Sequence, residues 1–146
     1  MTQAWRVLSE KFAQEVKKTQ VIVATFVAKK KTIEDQMEKL DQLISEYSEE
    51  LFSSKKKGLT DVGASNLRRQ FIAEVQQARD GLNRENSMLE IDLREAREDL
   101  REKRLEEMKV KKMLERDAER TKQSNNLQER KEFESTALNQ FNLRNA

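Results

Sequence analysis

The sequence predicts an all-α fold in which two long helices form an antiparallel coiled-coil hairpin, the second helix being the longer. Apolar residues from Phe12 to Leu51 recur in alternating steps of four and three, at Phe12, Val16, Thr19, Val23, Phe26, Lys30, Ile33, Met37, Leu40, Ile44, Tyr47 and Leu51. Only Thr19 and Lys30 interrupt the apolar character. A 3.5-residue repeat of this kind keeps one stripe turned toward a partner helix over many turns. Proline is absent from all 146 residues, and two of the three glycines fall together at 58 and 63, between the two heptad-like stretches.

Helix 1 is expected over about residues 3–56. Trp5 and Leu8 open its apolar face, and Glu and Lys fill the outer positions. The turn is placed at about 57–64. Gly58 can take the left-handed conformation that ends a helix, and the lysines just before it complement the negative end of the helix dipole. Thr60 or Asp61 can accept hydrogen bonds from the first free amides of helix 2. A connection this short makes the two helices antiparallel neighbours.

Helix 2 is expected over about 65–138, ahead of a frayed C-terminal tail, so that residues 1–146 form a single hairpin. Its apolar positions are Leu67, Phe71, Val75, Ala78, Leu82, Leu89, Leu93, Ala96, Leu100, Val110 and Leu114. The step from Leu89 to Leu93 reads as four where three was due, which resembles a stutter. Lys103 and Glu107 then occupy the stripe and predict looser pairing. Gly81 costs about 1 kcal/mol of helix propensity, yet strong helix formers flank it and the helix should run through. If the turn centres near residue 60, residue i faces residue ~120 − i, on a rise of about 1.5 Å per residue. Trp5 then lies opposite Leu114 or Glu115, and the stretch Ala118–Ala146 overhangs with Leu127, Phe133, Ala137, Leu138 and Phe141.

Composition excludes most chemistry. Charged residues make up 38% and hydrophobic ones 36%, too few to wrap a globular core but enough for a two-helix seam. Cysteine and histidine are both absent, which removes the thiolate nucleophile, the commonest general base and the usual zinc ligands. Three glycines cannot build a phosphate-cradling loop. The carboxylates sit three and four residues from Lys or Arg, as in the run from Arg94 to Arg104, where they pair along a helix surface. The sequence therefore predicts no enzyme, no cofactor and no metal. Net charge is +2 with both signs finely mixed. The runs Lys29–Lys31 and Lys55–Lys57 lack the interleaved aromatics of a single-strand platform, so no nucleic-acid partner is expected. The longest apolar run, Val21–Ala28, is far short of a membrane span of about 20 residues, and the N-terminus lacks the pattern of a secretory leader. These readings place the chain in the cytoplasm. Val21–Ala28 is nonetheless apolar around most of its helix. Either it broadens the contact with Leu93, Ala96 and Leu100, or another protein covers its second face.

The turn and its flanks carry a resemblance. Gln36-Met37-Glu38-Lys39-Leu40, Glu46-Tyr47, Leu51, Gly58-Leu59-Thr60 and Gln70-Phe71-Ile72 with Val75, Ala78 and Leu82 resemble the FliJ/YscO family. Arg130-Lys131-Glu132-Phe133 resembles that family's tail. These are coiled-coil stalk proteins of flagellar and injectisome type III export ATPases. The resemblance implies that the joined N- and C-terminal ends enter the hexameric export ATPase, here through Trp5, Leu8, Phe12, Leu127 and Phe133. It further implies that Gln36, Leu40, Leu43, Tyr47, Phe71, Val75, Ala78 and Leu82 face the cytoplasmic domain of the export-gate membrane protein. Export chaperones are the third implied partner, with association at the membrane peripheral rather than by insertion. Lys18-Thr19-Gln20 and the ending Leu143-Arg144-Asn145-Ala146 look more like the injectisome branch than the flagellar one. Two other classes fit a helical hairpin: a coiled-coil adaptor or tether with no ATPase partner, and a prefoldin-like holdase. So short a turn leaves no room for the β-hairpins of the latter.

Overall fold

The computed structural model describes residues 2–56 and 62–145. It is all-α: α1 spans Thr2–Lys56 and α2 spans Val62–Arg144, packed against each other with α2 the longer. Residues 57–61, which include Gly58, Thr60 and Asp61 of the expected turn, lie outside the described residues. Gly63 and Ala64, expected in the turn, belong to α2. At the other end α2 continues past the expected 138, and the Asn145 N–H still donates to the Phe141 carbonyl at 3.2 Å. The helix runs through Gly81 as expected. A side chain there would meet nothing within 4 Å.

Helix packing divides the chain into two compact units, one of residues 18–100 and one formed by 1–17 with 101–146. In the first unit the cross-helix contacts define the register. Lys30 meets Glu90 at 3.4 Å, Asp41 accepts from Arg79, the Tyr47 ring lies against Phe71, and Arg68 reaches both Glu50 at 3.7 Å and Ser54 at 3.1 Å. Partner numbers fall on α2 as they rise on α1 and add to between 118 and 122, so the helices are antiparallel here and follow the expected ~120 − i. The chain has no native cysteine, so this register is directly testable. Asp41→Cys with Arg79→Cys should be joined within one chain by a short bismaleimide. Linkage found only between chains would mean an intermolecular coil.

Burial along α1 reproduces the stripe in full. Every position from Phe12 to Leu51 named above is buried or half-buried. Thr19, at 1% exposure, is the most enclosed side chain among the described residues. Lys30 keeps its ammonium at the seam edge, where Glu90 and Glu34 meet it, as a long cationic side chain can.

On α2 the structure corrects the expected seam. The enclosed positions that form the seam are Ser65, Arg68, Ile72, Val75, Arg79, Leu82, Asn86, Leu89, Leu93, Ala96, Leu100, Lys103, Glu107, Val110, Leu114 and Asp117, with Ala64 and Gly81 half-buried beside it. The seam positions alternate steps of three and four without a break, so there is no stutter at Leu89–Leu93. Leu67 and Ala78 are exposed, and Phe71 sits at the edge. At Arg68 and Arg79, hydrophobicity alone assigns the seam position to the apolar neighbours Leu67 and Ala78, and at Ile72 it does not separate that residue from the equally apolar Phe71. Asn86 is a third polar seam residue. The arginines reach out of the seam to carboxylates on α1. Asn86 stays in, its side-chain oxygen buried without a partner. A polar residue at such a position disfavours other registers at some cost in stability. On α1, Leu8 is likewise off the seam, which runs through Trp5, Ser9 and Phe12.

Candidate functional site

In the unit of residues 18–100, the eight residues expected to face an export gate fall into two sets. Leu40, Tyr47, Val75 and Leu82 occupy the seam, and Val75 is only 8% exposed. Val75 therefore packs inward, as its place among the apolar positions of helix 2 requires. Gln36, Leu43, Phe71 and Ala78 each stand one residue before a seam position and flank it. In an antiparallel pair, such positions on the two helices meet along one edge. The observed register sets Leu43 near Ala78, and Gln36 lines the same groove as Glu85. The edge is finished by Phe71, 38% exposed, whose ring centroid lies 4.6 Å from that of Tyr47 at a 49° tilt. That is a favourable aromatic geometry. Leu67 and Phe52, at 68% and 70% exposure, are large apolar residues of this unit that the sequence reading did not single out as surface. The signal available for Leu67 was the arginine beside it, which takes the seam position.

In the other unit, Trp5 and Phe12 are half-buried in the seam of the N-terminal turns, while Leu8 and Val7 are exposed. α2 loses its partner at the expected point. Asp117 is half-buried, and every described residue from Ala118 to Asn145 is exposed. This bare helix spans about 40 Å at 1.5 Å per residue. Leu127, Phe133, Leu138 and Phe141 are between 55% and 75% exposed. At 100° per residue these four, with Ala137, share an arc of about 140°, the width of an ordinary buried helix face. Arg130 and Glu134 lie within the same arc. A groove lined by Gln3, Arg6 and Val7 of α1 and by Thr121, Asn125 and Glu129 of α2 separates the N-terminal turns from the start of the bare segment. Val7 is the residue here that the sequence reading missed.

The arrangement offers contact surfaces rather than reactive groups. Among the described residues no cluster of His, Cys, Asp or Glu could hold a metal ion. No helix of the described residues is long and apolar enough to cross a membrane. The cross-helix ion pairs sit at half-exposed positions and contribute about 0–1 kcal/mol each, so they set register more than stability.

Comparison with known proteins adds one finding. The family model described as flagellar FliJ protein matches residues 9–146, nearly the whole chain. No curated protein and no solved structure matches it.

Proposed function

The chain belongs to the FliJ family, non-enzymatic stalk components of flagellar and type III export machineries, and from that premise we propose that it links a hexameric export ATPase to the export gate. The observation that carries this reading is the bare, apolar-striped helix from Ala118 to Arg144 beside an N-terminus that exposes Val7 and Leu8. An unpaired helix with an apolar face of core width is built to be covered. The central cavity of a ring offers such cover while many subunits touch the helix weakly. The edge formed by Gln36, Leu43, Phe71 and Ala78 is the surface offered to the cytoplasmic domain of the gate protein. Seam residues Leu40, Tyr47, Val75 and Leu82 support that edge from beneath.

Export chaperones complete the proposed partner set. The protein would work in the cytoplasm, held at the membrane through the gate. Lys18-Thr19-Gln20 and the C-terminal Leu-Arg-Asn-Ala support the injectisome branch within the family. Co-purification from the native host, read by mass spectrometry, tests the whole reading. A ring ATPase and a gate protein should be recovered together, and the companions recovered assign the branch. Recovery without any ring ATPase would return the chain to a generic adaptor or tether.

A further inference from the structure

The stretch Val21–Ala28 is not used by the function proposed above. The seam takes only Val23 and Phe26 from it. Val21 is 64% exposed and Ile22 48%, and Ala24, Thr25 and Ala28 are exposed beside them. A groove runs along this face from Val21 to Gln36 and is closed on its far side by Glu85 and Leu89 of α2. Its wall is less polar than its sequence suggests. The Thr25 hydroxyl donates to the Val21 carbonyl at 2.8 Å and the Thr32 hydroxyl to the Ala28 carbonyl at 3.1 Å. Neither hydroxyl proton needs a partner in the groove.

A second groove adjoins it, with Phe26 and Ala96 at its base and Asp92, Glu95 and Asp99 around it. Lys29 joins the two. It lines the first groove and holds its ammonium 6.0 Å from the centre of the Phe26 ring. Ile22, Lys29, Glu85, Asp92 and Asp99 each stand one residue before a seam position, so the heptad places them all along one edge. Apart from Asp99, which has a partner of its own, Glu85, Asp92 and Glu95 line these grooves against the single ammonium of Lys29. In this unit Glu34, Asp41, Glu50 and Glu90 meet Lys30, Arg79 or Arg68, while Asp35, Glu38, Glu46, Glu49, Glu74 and Asp80 do not. What sets the present edge apart is the apolar wall that its carboxylates flank. Glu85, Asp92 and Glu95 meet no cation among the described residues.

We infer that this edge docks one further helix from a partner protein, amphipathic and basic, with its apolar stripe on Val21, Ile22, Thr25 and Ala28 and its Lys or Arg side chains over Glu85, Asp92 and Glu95. The apolar wall alone would take any helix. The carboxylates beside it select, since like charges there repel an acidic partner. The run from Val21 to Gln36 matches a helix of about 15 residues, read through anchors at i, i+3, i+4 and i+7. An anionic membrane or a nucleic acid would meet the carboxylates with the wrong sign. The bare C-terminal helix of a second copy is a poor match, because its basic and acidic residues nearly balance. This site continues along the same edge as the proposed gate patch and meets it at Gln36. The inference rests on Val21–Ala28 with Glu85, Asp92 and Glu95, which the ATPase and gate contacts do not use.

The test uses the full chain and two synthetic 18-residue helical peptides with the same leucine stripe, one flanked by lysines and the other by glutamates. Fluorescence anisotropy should show the lysine peptide binding and the glutamate peptide not, with the preference shrinking as salt rises. Asp92→Lys with Glu95→Lys should weaken the lysine peptide by about tenfold or more and admit the glutamate peptide. Val21→Ser with Ile22→Ser should weaken both. All four positions are on the surface, and circular dichroism of each variant confirms its helicity. Equal binding of the two peptides, binding of neither, or affinities indifferent to both variants would overturn the inference. So would sedimentation of the free protein as a dimer that Val21→Ser with Ile22→Ser disperses, because a second copy would then cover this edge.

Discussion

Removing residues 119–146 is expected to abolish stimulation of the export ATPase while leaving the melting temperature of the remaining chain nearly unchanged. The two readouts separate because the deleted residues take no part in any seam. From Ala118 onward every described side chain is exposed, so the deletion opens no cavity and exposes no buried apolar surface. An isolated helical segment draws its stability from its own backbone hydrogen bonds and i,i+4 pairs. Losing it lowers total helicity in proportion to its length and leaves the packing of Trp5, Phe12, Val110 and Leu114 in place. The functional loss should be large because Leu127, Phe133, Leu138 and Phe141 leave together. A milder form, Leu127→Ser with Phe133→Ser, should raise the concentration needed for half-maximal stimulation while keeping the helix. Full stimulation by the truncated chain would remove the overhang from the ATPase contact and shift attention to Val7 and Leu8. A steep fall in melting temperature would instead mean that the segment folds back on the chain.

The sequence stripe on α1 was legible to the last residue because its apolar content and its seam coincide, with Thr19 and Lys30 the only exceptions. Even these could be placed, since the steps of four and three left no other position for them. Register followed from the position of the turn, and the pairs Lys30–Glu90 and Asp41–Arg79 fall where it puts them. The overhang was legible for the same arithmetical reason. On α2 the same reasoning failed between Leu67 and Leu89. There hydrophobicity and geometry disagree: Arg68, Arg79 and Asn86 are polar residues at seam positions, and Leu67, Phe71 and Ala78 are apolar residues off them. A reader who follows apolar letters drifts by one residue and must invent a stutter to return. Carrying the strict heptad back from Leu89, Leu93, Ala96 and Leu100 reaches the true positions. It also identifies Phe71 and Ala78 as surface. The division of the proposed gate patch into seam and edge was hidden for this reason, because it depends on a one-residue difference in register.

That one-residue difference has a measurable consequence at Phe71 and Leu93. Leu93, 5% exposed in the seam, should lose about 2–5 kcal/mol on Leu93→Ala, the cost of removing a buried side chain and leaving a cavity. A fully buried phenylalanine would lose about 3–5 kcal/mol on the same change. Phe71 is 38% exposed and its ring lies against that of Tyr47. Its truncation leaves an open notch that water fills, and forfeits a tilted aromatic pair worth about 0.5–1.5 kcal/mol beyond burial. Phe71→Ala should therefore cost about 1–2 kcal/mol, clearly less than Leu93→Ala measured in the same buffer. If the edge meets the export gate, secretion by Phe71→Ala cells should nevertheless fall sharply while the protein accumulates at its normal level. Thermal melts of the two variants, set beside a secretion assay of Phe71→Ala, decide between the roles. A stability loss at Phe71 equal to that at Leu93 would make the ring a seam residue after all. Normal stability together with normal secretion would leave the ring exposed but free of any gate contact, and the patch would then have to be sought at Leu43 and Ala78 without it.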